Sequence, residues 1–271
     1  MLYIVSTPIG NLKDITYRAV EVLQSCDYIL AEDTRESKKL LSHYQIEKKL
    51  ISFHEFSSKK KEDAIIEDLH EGKNIALISD AGTPLISDPG SPLVQRILQE
   101  NLPITAIPGP SAFILAAVLS GFDTTIFQFV GFLAKKEKEL TETLKNYLEY
   151  PGTTIAYESP HRILKTVKIL ADIEPEREIA IFRELTKKFE EHLRGTAQKL
   201  FTKLENTTLK GEIVLVISKR KNESKKILKD ELIPEFIRYL KDYPHLTKDE
   251  VIAKIAHKFK VKKEEVSAFF S

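Results

Sequence analysis

Residues 74–90 read NIALISDAGTPLISDPG. Four apolar residues in succession, Ile75 to Ile78, end at Ser79 and Asp80. A loop of small residues and prolines then runs to Gly90. An apolar run without alternation predicts a strand buried on both faces, as in the middle of a parallel sheet. Leu93 opens a helical pattern that lasts to Gln99. A strand, a Gly/Pro loop and a helix in that order make half of a βαβ unit. In open α/β sheets the loops beyond the carboxyl ends of such strands are where ligands bind.

Working outward, the same alternation fills the first half of the chain. Strands are predicted over 2–6, 28–31, 49–53, 74–79 and 103–107. Helices are predicted between them: one capped by Asp14 or Thr16 with Val20, Leu23 and Cys26 at helical spacing, then 37–44, 62–71, 93–99 and 111–119. This rhythm predicts a doubly wound sheet with helices on both sides. Residues 122–134 read as an irregular inter-domain connection. A second α/β unit follows, with helices over 136–148, 163–171 and 189–204 and strands over 153–157, 178–183 and 212–217. Residues 219–229 read as a charged linker. Three amphipathic helices, 233–240, 248–259 and 263–270, close the chain. The expected division is an α/β domain over 1–120, a second α/β domain over 121–219 and a small helical domain over 220–271.

Composition bounds the alternatives. The 271 residues, 42% hydrophobic and 30% charged, suit two compact units or one with an appendage. Net charge is +1, yet fourteen Lys/Arg face nine Asp/Glu from residue 219 onward, against 27 and 31 before it. A basic tail hints at a polyanionic partner, although a solvated helical surface explains the charge as well. The single cysteine, Cys26, allows no intramolecular disulfide and fits a reducing compartment. The longest clean apolar run, 112–119, is too short for a bilayer, and the first five residues lack the basic segment of a signal peptide. The expected address is the cytoplasm, with no membrane association.

Four of the five predicted strands in the first half end in unusual chemistry. Ser6-Thr7-Pro8-Ile9-Gly10-Asn11 follows the first strand, Glu32-Asp33-Thr34-Arg35 the second, residues 79–90 the fourth and Pro108-Gly109-Pro110-Ser111-Ala112 the fifth. Small residues let backbone approach a ligand, and proline fixes the loop. One such loop is a tight turn, whereas four at one sheet edge point to a ligand site. The dinucleotide pattern Gly-x-Gly-x-x-Gly is absent, and so is the phosphate-binding Gly-x-x-x-x-Gly-Lys-Ser/Thr loop. Glu32 or Asp33 is placed to hold a ribose hydroxyl, but without the glycines this is weak evidence for NAD. No Cys/His spacing suggests zinc, and no metal is expected.

These loops, with Tyr157-Glu158-Ser159-Pro160-His161-Arg162, Arg183-Glu184-Leu185-Thr186-Lys187 and Lys210-Gly211-Glu212, resemble the tetrapyrrole-methylase superfamily, and within it the branch that methylates small-subunit ribosomal RNA. The match runs in order from Met1 to about Lys219. The resemblance implies two α/β domains with S-adenosylmethionine in the cleft between them, a homodimer, and 2′-O-methylation of a cytidine in the decoding region of small-subunit (16S) rRNA, free or in the assembled 30S subunit.

It also implies residue roles. Pro8, Ile9, Asp80, Ala81, Gly82, Thr83, Ser111 and Ala112 would hold the cofactor from the first domain. Tyr157, Leu185, Lys210 and Gly211 would hold it from the second. Ser79-Asp80-Ala81 stands where related loops often carry Gly-Asp-Pro. An attacking hydroxyl gains from a general base, and Glu32, Asp33, Asp88, Glu158 and Glu184 are the candidates. For each, a cap, a turn or an ion pair with Arg35, Arg162 or Arg183 is the competing structural role. Arg35, Lys38, Lys39, Arg162, Lys187 and Lys188 are expected to rim the cleft and meet RNA phosphates. A small-molecule methylase of the same fold and a non-catalytic RNA-binding module remain as alternatives.

Overall fold

In the computed structural model the described residues are 1–54, 56–207, 209–220, 229–259, 261 and 263–270. Residues 1–220 form one compact unit and 221–271 another.

The first unit contains two five-stranded sheets. The first sheet is built from β1 (Leu2–Val5), β2 (Tyr28–Ala31), β3 (Lys49–Ser52), β4 (Ile75–Ile78) and β5 (Ile104–Ile107), in the order β3-β2-β4-β1-β5. Every pairing in it is parallel. The quoted run 75–78 lies at its centre, buried throughout. Alternate side chains of these strands point to opposite faces. Leu2, Ile4, Leu30, Ile75 and Leu77 pack with α3 (Lys59–His70) and α4 (Ser91–Gln99). Val5, Ile29, Ala31, Ala76 and Ile78 pack with α1 (Tyr17–Ser25) and α2 (Thr34–His43). The sheet is therefore covered on both sides, as the continuous apolar runs require. Truncating a fully buried member such as Ile29 to alanine removes about 2–5 kcal/mol.

The second sheet holds β6 (Phe127–Phe132), β7 (Thr153–Glu158), β8 (Glu178–Arg183), β9 (Glu191–Thr196) and β10 (Ile213–Ile217), in the order β6-β7-β10-β8-β9. Only β6 and β7 run parallel. One face packs on α6 (Glu137–Glu149), α7 (Ile163–Ile173) and α8 (Ala197–Leu204). The other face, with Ile155, Ala180, Phe182, Val214 and Val216, packs on α5 (Ala112–Ser120). This helix follows the last strand of the first sheet yet covers the second. It is apolar nearly all round, AFILAAVLS, as an interior helix must be.

Two expectations are corrected. Residues 122–134 are not irregular throughout, because Phe127–Phe132 pair with β7 as an edge strand. The aromatic alternation Phe127, Phe129 is strand-like, but Gly131, at φ +66°, accompanies a register shift that interrupts the pattern. The helix expected over 189–204 is half strand. Glu191–Thr196 pair with β8, and α8 starts only after Thr196, whose hydroxyl caps it by accepting from the Lys199 amide at 3.3 Å.

The second unit contains α9 (Lys229–Asp242), α10 (Lys248–Phe259) and α11 (Lys263–Ser267). Leu232, Val251, Ile252, Ile255, Ala256 and Val266 form its core. The three expected helices are present, though the last is shorter than expected. Residues 221–228, the body of the expected linker, lie outside the described residues. Among the described residues no helix is long and apolar enough to cross a membrane.

Candidate functional site

The loops beyond β1, β4 and β5 meet at one edge of the first sheet and are cross-linked there. Thr7 Oγ1 donates to the Ser79 carbonyl at 3.2 Å. Thr83 Oγ1 donates to the Pro110 carbonyl at 3.2 Å and lies 3.0 Å from Ser6 Oγ, which is left to donate to it. Gly109 permits this approach, since a Cβ there would stand 2.7 Å from that of Ser6. The loop after β4 is held in costly backbone conformations. Leu85 and Ser87 have φ of +73° and +67°, a region that costs a residue with a side chain about 1–3 kcal/mol. Such strain concentrates at ligand sites.

These loops form one wall of a cleft of about 370 Å³. Ile9, residues 81–83, residues 86–88, Ser111 and Ala112 line it from the first sheet. The opposite wall comes from the second sheet. Phe132 ends β6, Tyr157 and Glu158 end β7 and lead into Ser159-Pro160, and Gly211 and Glu212 lead into Ile213 and Val214 of β10. β10 runs antiparallel to β7, which sets Ile213 opposite Glu158 and brings the start of one strand to the end of the other.

Of the residues expected to hold a cofactor, Ile9, Ala81, Gly82, Thr83, Ser111, Ala112, Tyr157 and Gly211 line this cleft. Pro8, Asp80, Leu185 and Lys210 do not. Asp80 Oδ1 instead accepts from the Asp33 amide at 3.0 Å, tying the loop after β4 to that after β2. Leu185 is buried in the core under α5. The Lys210 carbonyl accepts from Arg183 Nη1 at 3.2 Å. Sequence reading passed over Phe132, Ser159, Pro160, Glu212, Ile213 and Val214. The aromatic pattern of 127–132 carried the signal for Phe132. Ser159, Pro160 and Glu212 lie inside quoted motifs, where they were given no role, Ile213 and Val214 follow directly, and only the antiparallel register of β7 and β10 assembles the five.

The five acidic candidates separate by environment. The carboxyl of Asp33 is held at about 2 by hydrogen bonds from the side chain and amide of Arg35, and it caps α2. Glu158 has a fully buried side chain. Its oxygens accept from the Ser159 amide at 2.6 Å and Thr166 Oγ1 at 2.7 Å, and Arg162 Nη2 stands 2.6 Å away. Burial pushes Glu184 up, but the Glu212 amide and Lys187 outweigh it and hold the carboxyl below its ordinary value. Asp88 lines the cleft, and burial raises its pKa against a hydrogen bond from Ser79, with the Asp80 charge adding to the rise. Burial also raises Glu32, reinforced by Asp80, Asp88 and Asp33. Glu32 lines an adjoining cavity that shares Ser87 and Asp88 with the cleft. Burial, with the Asp88 charge, lifts the Tyr157 hydroxyl to about 12, so it stays neutral near pH 7.

The expected cationic rim divides in the same way. Arg162 is committed to Glu158 and to the Leu133 and Ala134 carbonyls. Lys187 spans Glu184 and Glu212, Arg35 pairs with Asp33 and Lys39 with Glu36. Exposed Lys38 and Lys188 carry no carboxylate partner among the described residues, and Lys188 lies over the Phe189 ring. No group of three or more His, Cys, Asp or Glu among the described residues is arranged to hold a metal.

Comparison with known proteins agrees with this architecture. The family model described as Tetrapyrrole (Corrin/Porphyrin) Methylases matches residues 1–200. The chain is 42% identical over 216 residues to a protein of Halalkalibacterium halodurans named "Ribosomal RNA small subunit methyltransferase I", covering 80% of this chain and 75% of that one. It is 40% identical over 267 residues to the protein of that name in Synechocystis, covering 98% and 95%. Among solved structures, diphthine synthase superposes with a TM-score of 0.64 at 13% identity, covering 81% of this chain and 90% of that one. Cobalt precorrin-4 methyltransferase gives 0.57 at 19%, covering 79% and 93%. These structural likenesses carry the fold alone. With the family model spanning most of the chain and the relatives covering 80% and 98% of it, this protein belongs to the tetrapyrrole (corrin/porphyrin) methylase family and is similar within it to the ribosomal RNA small subunit methyltransferase I proteins.

Proposed function

We propose that this protein transfers a methyl group from S-adenosylmethionine to the ribose 2′-hydroxyl of a cytidine in the decoding region of small-subunit rRNA. The observation that carries the reading is the cleft between the two sheets, lined by Ile9, Gly82, Thr83, Ser111, Tyr157 and Gly211. The printed names of the relatives at 40–42% identity supply the RNA substrate. A cytoplasmic address and a homodimer go with this proposal.

The residues present fit such a cofactor. Ser111 makes no side-chain hydrogen bond to the first turn of α5, so the amides there are available to a carboxylate. Gly82, at φ +82°, turns the backbone beside Ile9. Asp88 and the neighbouring Asp80 and Glu32 give the site a negative field suited to an ammonium or sulfonium group. When bound, S-adenosylmethionine supplies an activated methyl group whose sulfur leaves as a neutral thioether.

The protein's own part is alignment, exclusion of water and proton acceptance. Phe132, Ile213 and Val214 make the second wall apolar. We assign Asp88 as the proton acceptor. It faces the cleft, and its raised pKa gives it more basicity than Asp33 or Glu184. As the new C–O bond forms, the hydroxyl proton passes to the Asp88 carboxylate.

The test is transfer of labelled methyl from S-adenosylmethionine to small ribosomal subunits lacking the modification, with nucleosides identified after digestion. Label in 2′-O-methylcytidine is the expected result. Cofactor binding by calorimetry without transfer to RNA would overturn it and return the substrate to a small-molecule ring or to non-catalytic RNA binding.

A further inference from the structure

A second cavity, of about 420 Å³, adjoins the cofactor cleft. Glu32, Phe53, His54, Glu62, Ser87 and Asp88 line it, with the turn after Asp88 as its floor. Ser87 and Asp88 belong to both cavities, so the strained Ser87 stretch is the partition between them. A target whose hydroxyl reacts beside Asp88 has its ribose at that partition and its base on the far side.

The polar groups of the second cavity are not equivalent. Glu62 is paired with Arg96. Glu32 has neither a hydrogen bond nor an ion pair among the described residues and is only half-buried. A half-buried carboxylate without a donor accepts one from a ligand at little desolvation cost. The Phe56 amide donates to His54 Nδ1 at 3.2 Å, which leaves the proton of the neutral ring on Nε2. Beyond Asp88 at the partition, the cavity therefore offers Glu32 as an acceptor and His54 as an N–H donor. Phe56 stands 85% exposed beside it, with its ring centroid 6.3 Å from that of His54. Exposed aromatic rings are platforms for unstacked RNA bases.

We infer that this second cavity is the pocket for the target base, and that Glu32 and His54 select cytosine over uracil. Glu32 accepts from the exocyclic N4 amino group, and His54 Nε2–H donates to a ring acceptor, O2 or N3. Uracil presents a carbonyl where cytosine presents the amino group, so it meets the Glu32 carboxylate with acceptor against acceptor. The inference rests on the proposed function, since it requires a nucleoside target.

The experiment uses the full chain and unmodified small subunits carrying either C or U at the target nucleotide. The wild type transfers to C-subunits and disfavours U-subunits. A single well-placed pair distinguishes bases by roughly tenfold or more, so E32Q, which presents an amide N–H to the uracil carbonyl, lowers the C/U ratio of kcat/KM at least about tenfold. H54A lowers transfer to C, chiefly through KM. H54A leaves S-adenosylmethionine binding unchanged by calorimetry and E32Q still binds it, and both keep the wild-type far-UV circular dichroism, which shows them folded. An unchanged C/U ratio in E32Q together with unchanged KM in H54A overturns the pocket assignment alone. Absence of wild-type transfer to either subunit overturns the proposed function, and this inference with it.

Discussion

Thr7 and Gly82 exchange backbone hydrogen bonds in both directions, with N···O distances of 2.8 and 3.1 Å, and so join the loop after β1 to the loop after β4 at the cleft wall. The loops are 75 residues apart in sequence, and neither strand ladder reaches this far. The ligand-facing edge is a cross-linked rim with fixed geometry, and that makes its residues testable one at a time.

Thr83 carries the next cross-link on that rim, to Ser6 and Pro110. Thr83→Val keeps the shape and removes both hydrogen bonds, each worth about 1 kcal/mol. The expected outcome is a roughly tenfold or greater rise in the Kd for S-adenosylmethionine by calorimetry. An unchanged Kd would mean that the rim is fixed without Thr83.

Asp88→Asn removes the assigned proton acceptor. Single-turnover transfer should fall by about 10²–10⁴-fold while cofactor affinity stays within a few-fold. The wild-type rate should decline as pH drops through a value above the ordinary carboxylate range, because burial raises the Asp88 pKa. The variant should lack that limb. Stability carries the opposite sign. A carboxyl whose folded pKa is raised stabilises the fold while protonated, below its unfolded value near 3.8, and that contribution is lost as pH rises through the folded pKa. The thermal midpoint of Asp88→Asn should therefore match or exceed the wild type at pH 7, and its advantage should shrink in acid. A midpoint well below the wild type at pH 7 would contradict this.

Glu158 and Arg162 form the ion pair at the end of β7, and the Glu158 side chain is fully buried. Glu158→Ala leaves the Arg162 charge without its carboxylate and Thr166 without its acceptor, and should cost about 3 kcal/mol or more by urea unfolding. If Glu158 were the base, Glu158→Gln would abolish transfer with little change in stability. We expect the reverse, a loss of stability with transfer retained in the folded fraction.

Lys38 and Lys188 are the expected RNA contacts that have no carboxylate partner among the described residues. Charge reversal at each should weaken RNA binding and lower the slope of log K against log salt by roughly one. Lys187, already bridging Glu184 and Glu212, serves as the control and should change stability more than the slope. An unchanged slope in the Lys38→Glu, Lys188→Glu double variant would remove both from the RNA surface.

The sequence by itself determined the first sheet, because its evidence is local. Unbroken apolar runs such as 75–78 can only be buried on both faces, and each is followed by its own turn residues and its own helix. The position of the ligand edge follows from that order alone, whereas the individual residues on it, Ile9, Gly82, Thr83 and Ser111, came from the family resemblance. Where two local patterns competed, reading failed. Residues 189–204 are rich in helix formers, and Gly195-Thr196 was the one interruption that could have warned of a break. Glu191–Thr196 are an edge strand because β8 offers them a ladder, and no property of the segment names that partner. The wall made by Phe132, Ser159 and Val214 was likewise closed to sequence reading, since a parallel β6–β7 pair and an antiparallel β7–β10 pair must form before those residues share a surface. Only the tertiary structure decided which carboxylates are free. Asp33, Glu158 and Glu184 look alike in the chain, but Arg35 lowers Asp33, the Glu212 amide and Lys187 lower Glu184, and Glu158 is taken up by Ser159, Thr166 and Arg162. For half-buried Asp88 and Glu32 burial outweighs what donors supply, a single Ser79 hydroxyl in the case of Asp88, and both are raised. Pairing and burial are properties of neighbours brought together in space, and a chain read residue by residue does not contain them.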